Sequence, residues 1–217
     1  QIIDLLKNLQ SIKQKKIINF NNREYIIPIY TAKILENEAK LFSEWYSKKK
    51  IKRLEQKKFK KSYNKIIKNL IKKIKLKNDT FVHRDFHISN LMMVKNKIGI
   101  IDSQDALIGN KVYDLASLID DVRFKTSEKF KNEIFNFYLK KQKFLNKNFF
   151  KSDFDIISVL RNLKIIGIFT RLALRDNKKR YLKLIPHAWS LIKLRSKNKD
   201  HFKDLNNLLN VLNNRIK

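Results

Sequence analysis

The chain has no cysteine, which excludes disulfide bridges and thiolate metal centres and fits a reducing compartment, so the expected location is the cytoplasm. Glycine is almost as scarce, with three in 217 residues. A glycine-rich phosphate loop, of the Walker or the kinase type, needs several glycines within a few residues, so none lies within this sequence. Acidic residues are also few: 20 Asp and Glu stand against 50 Lys and Arg, a formal net charge of +30. No apolar run approaches the roughly 20 residues that span a bilayer. The first residues show no small-residue cleavage site, so no signal peptide and no membrane association are expected.

What is present argues for a folded domain. Hydrophobic residues make up 43% and aromatics 11% of the chain, too much for disorder at this charge. The positive charge invites a nucleic-acid reading. However, the excess is mostly lysine, spread over nearly every helical segment and accompanied by Asn and Ile. Recognition surfaces concentrate arginine and aromatics in one place. The charge therefore reads as compositional drift, and nucleic acid is not the expected partner.

Apolar periodicity predicts a mainly helical α+β chain forming one domain over 1–217. Helices are expected over 1–16, from Thr31 through Tyr46, over 48–77, 112–122, 127–140, 153–174 and 181–194, and over 201–213. Pro186 should lie near a helix start or kink. The segment 16–30 reads as mixed, with Asn21-Asn22 as a turn signal and Pro28 arguing against helix around it. Short apolar strands are expected at Phe81-Val82, Leu91–Val94 and Ile98–Ile101.

Those strands frame the chemistry. His83-Arg84-Asp85, with Asn90 five positions after Asp85, fits the pattern H-R-D-x-x-x-x-N of kinase catalytic loops. Phosphoryl transfer needs a carboxylate to orient and deprotonate the attacking hydroxyl, and oxygen ligands for a Mg²⁺ that neutralises phosphate charge. A loop can set Asp85 and the Asn90 amide on one cleft, and the following hairpin can deliver Asp102 from a strand end. Alone, each Asp or Asn is more simply a turn or cap residue, and His83 is a buried histidine that scaffolds the loop. The ordered set, between apolar strands in the right places, is what points to a phosphotransferase.

The residues that follow carry a resemblance. Ile101-Asp102-Ser103-Gln104-Asp105-Ala106, Gly109, Tyr113-Asp114-Leu115-Ala116-Ser117-Leu118 and Asp120-Asp121-Val122-Arg123 resemble the aminoglycoside phosphotransferase-like kinases. Leu163 to Leu172, Arg175-Asp176, Tyr181-Leu182 and, upstream, Glu38 to Tyr46 extend the similarity over nearly the whole chain, most closely to bacterial anomeric amino-sugar kinases of cell-wall recycling. The resemblance implies an ATP-dependent kinase with ATP and Mg²⁺, Asp85 as catalytic base, and Asn90 and Asp102 as metal ligands. It further implies Asp114 as the anchor of the catalytic loop 83–90 beside His83, and Gly109 in a turn. His87 of that loop, Gln104 and Asp105 of the metal-binding strand end 102–105, and Arg175 further on become candidate substrate ligands. Arg171 and Arg175 read equally as partners of neighbouring carboxylates. The implied acceptor is the anomeric hydroxyl of N-acetylmuramate or N-acetylglucosamine.

Two positions depart from that family: Ser103 stands where Phe is usual and Asn110 where Pro is usual. A larger departure is the lack of a glycine-rich loop and of a strand lysine ahead of the core, both of which belong to the family's N-terminal lobe. The expected fold is therefore the C-terminal lobe of a protein-kinase-like fold with its N-terminal lobe absent, and the 217 residues alone should turn over little ATP. The alternatives are a kinase of another small hydroxylated substrate (an aminoglycoside, choline or homoserine) and, from another class, a basic nucleic-acid-binding or degraded-kinase interaction module. Asp120, Asp121 and Glu44 are the only hints of an acidic cleft for a cationic acceptor.

Overall fold

A computed structural model describes residues 1–18, 20–142 and 146–213. Helices dominate, and the described strands form three two-stranded antiparallel sheets. The chain divides into two compact units, one of residues Gln1–Thr31 with Lys75–Phe154 and the other of Ala32–Ile74 with Asp155–Lys217.

The first unit opens with α1 (Ile2–Gln10), which buries Ile3 and Leu6. The helix expected over 1–16 stops here. β1 (Lys16–Ile18) instead pairs with β2 (Glu24–Ile26), and the Ile27 N–H donates to the Lys15 carbonyl at 2.9 Å to extend the ladder. The β-branched Ile17 and Ile18 favour a strand, and Asn22, with φ 57°, takes the left-handed turn conformation that Asn tolerates. β3 (Asn78–Val82) pairs with β6 (Leu107–Asn110), from Val82 opposite Leu107 to Asn78 opposite Asn110, with a bulge before Thr80. On the other edge of β6, the Tyr30 N–H donates to the Ile108 carbonyl and the Ile108 N–H to the Pro28 carbonyl, both at 2.8 Å.

Gly109 therefore lies inside a strand, not in the expected turn. Its hydrogen is what lets Tyr30 close over β6: a Cβ there would sit 3.1 Å from the Tyr30 Cβ and 3.2 Å from a Val82 methyl. β4 (Leu91–Val94) and β5 (Lys97–Ile100) form a hairpin whose two turn residues, Lys95 and Asn96, both have positive φ, as a type I′ turn requires. All eight residues of α5 (Val112–Ile119) are buried. α6 (Glu128–Lys140) starts at Ser127, whose hydroxyl accepts the Phe130 N–H at 3.1 Å. The boundary between the units falls within α7 (Lys147–Arg175).

In the second unit, α2 (Ala32–Leu41) runs through a π-helical turn, Phe42–Tyr46, into α3 (Ser47–Lys50). The single helix expected over 48–77 is interrupted: Ile51 and Lys52 are extended, and α4 covers Arg53–Ile71. The Gln56 amide explains the break, donating to the otherwise open carbonyls of Lys48 at 2.9 Å and Ile51 at 3.1 Å. Gly167 of α7 meets the junction of α2 and the π turn so closely that a Cβ would lie 2.3 Å from the Leu41 carbonyl carbon. Lys164 and Glu38 pair at 2.9 Å beside that contact. α8 (Ile185–Ser196) carries Pro186 in its first turn, where a missing N–H costs nothing, and α9 (Lys203–Asn213) follows. Among the described residues no helix is long and apolar enough to cross a membrane.

Candidate active site

The site is built at the end of β3. Val82 is fully buried, and the loop that leaves it is caught at once by α5. The Asp114 carboxylate, itself without solvent contact, accepts the backbone N–H of His83 at 2.7 Å and that of Arg84 at 2.9 Å. A carboxylate taking two consecutive backbone N–H groups fixes the chain direction firmly, since both bonds are charge-assisted. That grip holds Arg84 in left-handed backbone, φ 74°, a conformation a long side chain adopts only under constraint. The Arg84 guanidinium lies over the Tyr30 ring at 5.7 Å and donates to the Asp105 carbonyl at 3.4 Å.

Beyond Arg84 the loop curls around the carbonyl of Asp85. That oxygen accepts the His87 N–H at 2.9 Å and the Asn90 side-chain amide at 3.1 Å. Ile88–Asn90 make a single tight helical turn, and the Asn90 N–H donates back to the His87 carbonyl at 3.0 Å. The Asn90 carbonyl in turn accepts the Ile101 N–H at 3.1 Å. This bond adds a rung to the β4–β5 ladder beyond the Leu91–Ile100 pair. Asp102 is thus one residue past the rung that holds Asn90. It is exposed and left-handed, φ 64°, so the chain turns sharply at its carboxylate.

Electrostatics groups the same residues. His83 is completely buried, and burial pushes its imidazole below the ordinary value of 6.5. The carboxylates of Asp85 and Asp102 and the Ile101 backbone oppose that shift, so both carboxylates lie within electrostatic reach of one ring. Neither His83 nitrogen has a hydrogen-bond partner of good geometry. The ring fills the space behind the loop.

Asp85 and Asp102 thus both act on His83, and Asn90 is tied to the Asp85 carbonyl and to Ile101, one residue before Asp102. His87 is buried in the turn, while Gln104 and Asp105 are exposed in the short turn Ser103–Asp105 that follows Asp102. Arg175 belongs to the other unit, where its guanidinium is bonded twice to Asp176, at 2.7 and 3.0 Å. The pair holds the Asp176 carboxyl below its usual range, and the Arg171 charge adds to the effect. Tyr30, under Arg84, had no signal in the sequence, because it is distant along the chain and in no motif.

The donors suit a hard cation. With its nitrogen committed to the Asp85 carbonyl, Asn90 has its amide oxygen to offer, and Asp102 adds an exposed carboxylate. Among the described residues no group of three or more His, Asp or Glu gathers to hold a metal ion. A Mg²⁺ held by Asn90 and Asp102 would take its remaining ligands from phosphate and water, the usual arrangement for that ion. A half-buried carboxylate beside such a pair can orient a hydroxyl and remove its proton. The acidic residues that hinted at a cationic acceptor each have a basic or backbone partner. Asp120 is buried 3.5 Å from Lys131, Asp121 is buried and accepts the Arg123 N–H at 3.0 Å, and Glu44 pairs with Lys60 at 3.3 Å.

Residues 1–146 match the family described as the phosphotransferase enzyme family, APH. The chain is 31% identical over 184 residues to the N-acetylmuramate/N-acetylglucosamine kinase of Neisseria meningitidis serogroup B, covering 82% of this chain and 55% of that protein. It is 29% identical over 191 residues to the enzyme of the same name from Pseudomonas aeruginosa, covering 85% of this chain and 56% of that protein. The chain thus spans about half the length of these relatives. A crystal structure of spectinomycin phosphotransferase APH(9)-Ia in complex with ADP and spectinomycin aligns with a TM-score of 0.41 at 14% identity, covering 89% of this chain and 80% of that one. With two thirds of its residues inside the family's pattern, the chain belongs to the phosphotransferase enzyme family.

Proposed function

We propose that this chain carries the catalytic lobe of an ATP-dependent kinase that phosphorylates a small-molecule hydroxyl, the anomeric hydroxyl of N-acetylmuramate or N-acetylglucosamine. The observation that carries the reading is the bond from the Asn90 amide to the Asp85 carbonyl, continued through the Asn90 carbonyl to Ile101 and so to Asp102. It ties a base and two oxygen ligands into one unit. Asp85 orients the acceptor hydroxyl and takes its proton as the oxygen attacks phosphorus. Asn90 and Asp102 hold Mg²⁺, which when bound supplies charge neutralisation at the transferring phosphate. Asp114 keeps the loop backbone in place, His83 fills the space beneath it, and His87, Gln104 and Asp105 are the candidate contacts to the acceptor.

The names of the relatives favour an amino sugar over a cationic acceptor such as an aminoglycoside or choline. On this reading the chain is the C-terminal lobe of a protein-kinase-like fold, acting in the cytoplasm in cell-wall recycling. With three glycines it contains no glycine-rich loop, so part of the nucleotide cradle lies outside these residues and the chain alone turns over little ATP. The test incubates the gene's complete product, and this chain in parallel, with ATP, Mg²⁺ and either sugar, and follows phosphosugar formation. Asp85→Asn in the complete product should lower kcat by roughly 10²–10⁴-fold. Normal turnover by that variant would remove Asp85 as the base.

A further inference from the structure

β3 is held at both ends in the same way. At its far end the Asp114 carboxylate takes the N–H groups of His83 and Arg84. At its near end a second fully buried carboxylate, Asp153 of α7, takes the N–H of Lys75 at 2.9 Å and that of Leu76 at 2.8 Å. All these residues belong to the first unit.

Asp153 also reaches the neighbouring strand. Its Oδ2 accepts the Asn110 side-chain amide at 3.1 Å, and Asn110 is the residue of β6 opposite Asn78. The Asn110 Oδ1 then accepts the Val112 N–H at 3.1 Å, closing the first turn of α5. Two residues further along, still in the first turn of α5, stands Asp114. A continuous set of charge-assisted and backbone-directed bonds thus runs from Asp153 by two routes, along β3 and through Asn110 and α5. Both routes converge on the His83 and Arg84 amides, next to Asp85.

We infer that Asp153 is a positioning residue for Asp85, setting the axial position of β3 from the end opposite the catalytic loop. A buried carboxylate bonded to N–H groups and an amide carries a desolvation cost that a neutral group of the same shape would avoid. What the charge provides is stiffness, through short bonds that tolerate little displacement. β3 needs that stiffness because its bulge interrupts the ladder between the two clamps. A slip of one residue would move the loop by about 3.3 Å, whereas phosphoryl transfer is degraded by misplacements of about 1 Å. Asn110 supplies a side-chain tie from β6 to Asp153 that an apolar residue could not make.

The inference rests on the kinase reading for its purpose but is measured without it. Amide hydrogen exchange is followed by NMR in Asp153→Asn and in Asn110→Ser, whose shorter side chain keeps a capping oxygen for Val112 while withdrawing the amide nitrogen that reaches Asp153. In both variants the His83 and Arg84 amides should exchange about tenfold faster, while α9 amides such as Leu209 stay unchanged. In the complete kinase, kcat should fall about tenfold at unchanged KM, as expected for misplaced catalytic groups. Faster exchange confined to Lys75 and Leu76, uniformly faster exchange, or an unchanged kcat would each overturn the inference. If Asp153→Asn does not fold, Asn110→Ser alone decides. Should the wild type transfer no phosphate while the exchange result holds, the kinase reading fails and the mechanical coupling stands.

Discussion

The side-chain amide of Asn90 donates to the main-chain carbonyl of Asp85 at 3.1 Å, so each fixes the other. The bond sets which way the Asn90 amide faces and closes the loop whose first half carries the base. Asn90→Ala should therefore disturb more than one ligand. We expect a loss of about 1 kcal/mol in stability together with weaker Mg²⁺ dependence of turnover. Asn90→Asp cannot donate and should lose the loop closure while keeping an oxygen for the cation. Urea midpoints and Mg²⁺ titrations of turnover separate the two effects.

Asp114 accepts two backbone N–H groups with no exposure to water. Asp114→Asn presents one acceptor and one donor to the same two donors, leaving a buried N–H facing another N–H. Removing a buried charged acceptor of this kind costs about 2–3 kcal/mol. Guanidinium unfolding should show that loss without a change in slope. A midpoint equal to the wild type would mean that the loop is anchored by something else.

Gly167 leaves no room for a methyl group against the Leu41 carbonyl. Both neighbours are helix backbone, which cannot swing aside as a flexible side chain can. Gly167→Ala should destabilise by about 2 kcal/mol or more, in the range of overpacked cores. Gly99→Ala is the control: its Cβ would meet only the Met92 carbonyl, at 3.9 Å. Thermal unfolding of the two variants should differ clearly, and equal melting temperatures would contradict the close approach.

Two histidines should make stability fall in mild acid. Burial lowers both His83 and His201 from 6.5, and Lys73 and Lys199 add to the shift at His201. A depressed value means that the folded protein favours the neutral ring, while the unfolded chain takes up a proton near 6.5. Stability from this source is complete above that pH and declines as pH falls through the folded values. His201→Gln should make urea midpoints less steep between pH 7 and 5 than in the wild type. An unchanged pH slope would mean that His201 titrates alike in both states.

How much of this was legible in the sequence follows from where each signal is encoded. Asp85, Asn90 and Asp102 were legible because chemistry fixes their spacing, and the intervening hairpin is local: apolar Leu91–Val94 and Ile98–Ile101 bracket a two-residue turn. α4, α8 and α9 were legible because their buried residues recur at helical intervals. β6 was not, since Leu107-Ile108-Gly109-Asn110 looks like a turn until Tyr30 and Val82 pack on either side of the glycine. The β1–β2 hairpin was hidden because a lysine- and isoleucine-rich stretch suits helix or strand equally, and pairing decides between them. The break after α3 rests on one glutamine reaching back to two carbonyls, a tertiary choice with no sequence signature. Asp153 gave no signal beyond opening the helix expected over 153–174, because its partners lie 43 to 78 positions away.

The backbone at Asp102 has a further consequence. At φ 64° an asparagine or a glycine would rest as comfortably as the aspartate, or more so. Folding therefore gives no reason to retain the acid; only the use of its charge does. Asp102→Gly should melt no lower than the wild type while losing phosphate transfer, an opposition between durability and work confined to one residue. In any lineage where this protein ceased to be used, Asp102 would be among the first positions free to change, well before His83 or Asp114, which the fold itself cannot release.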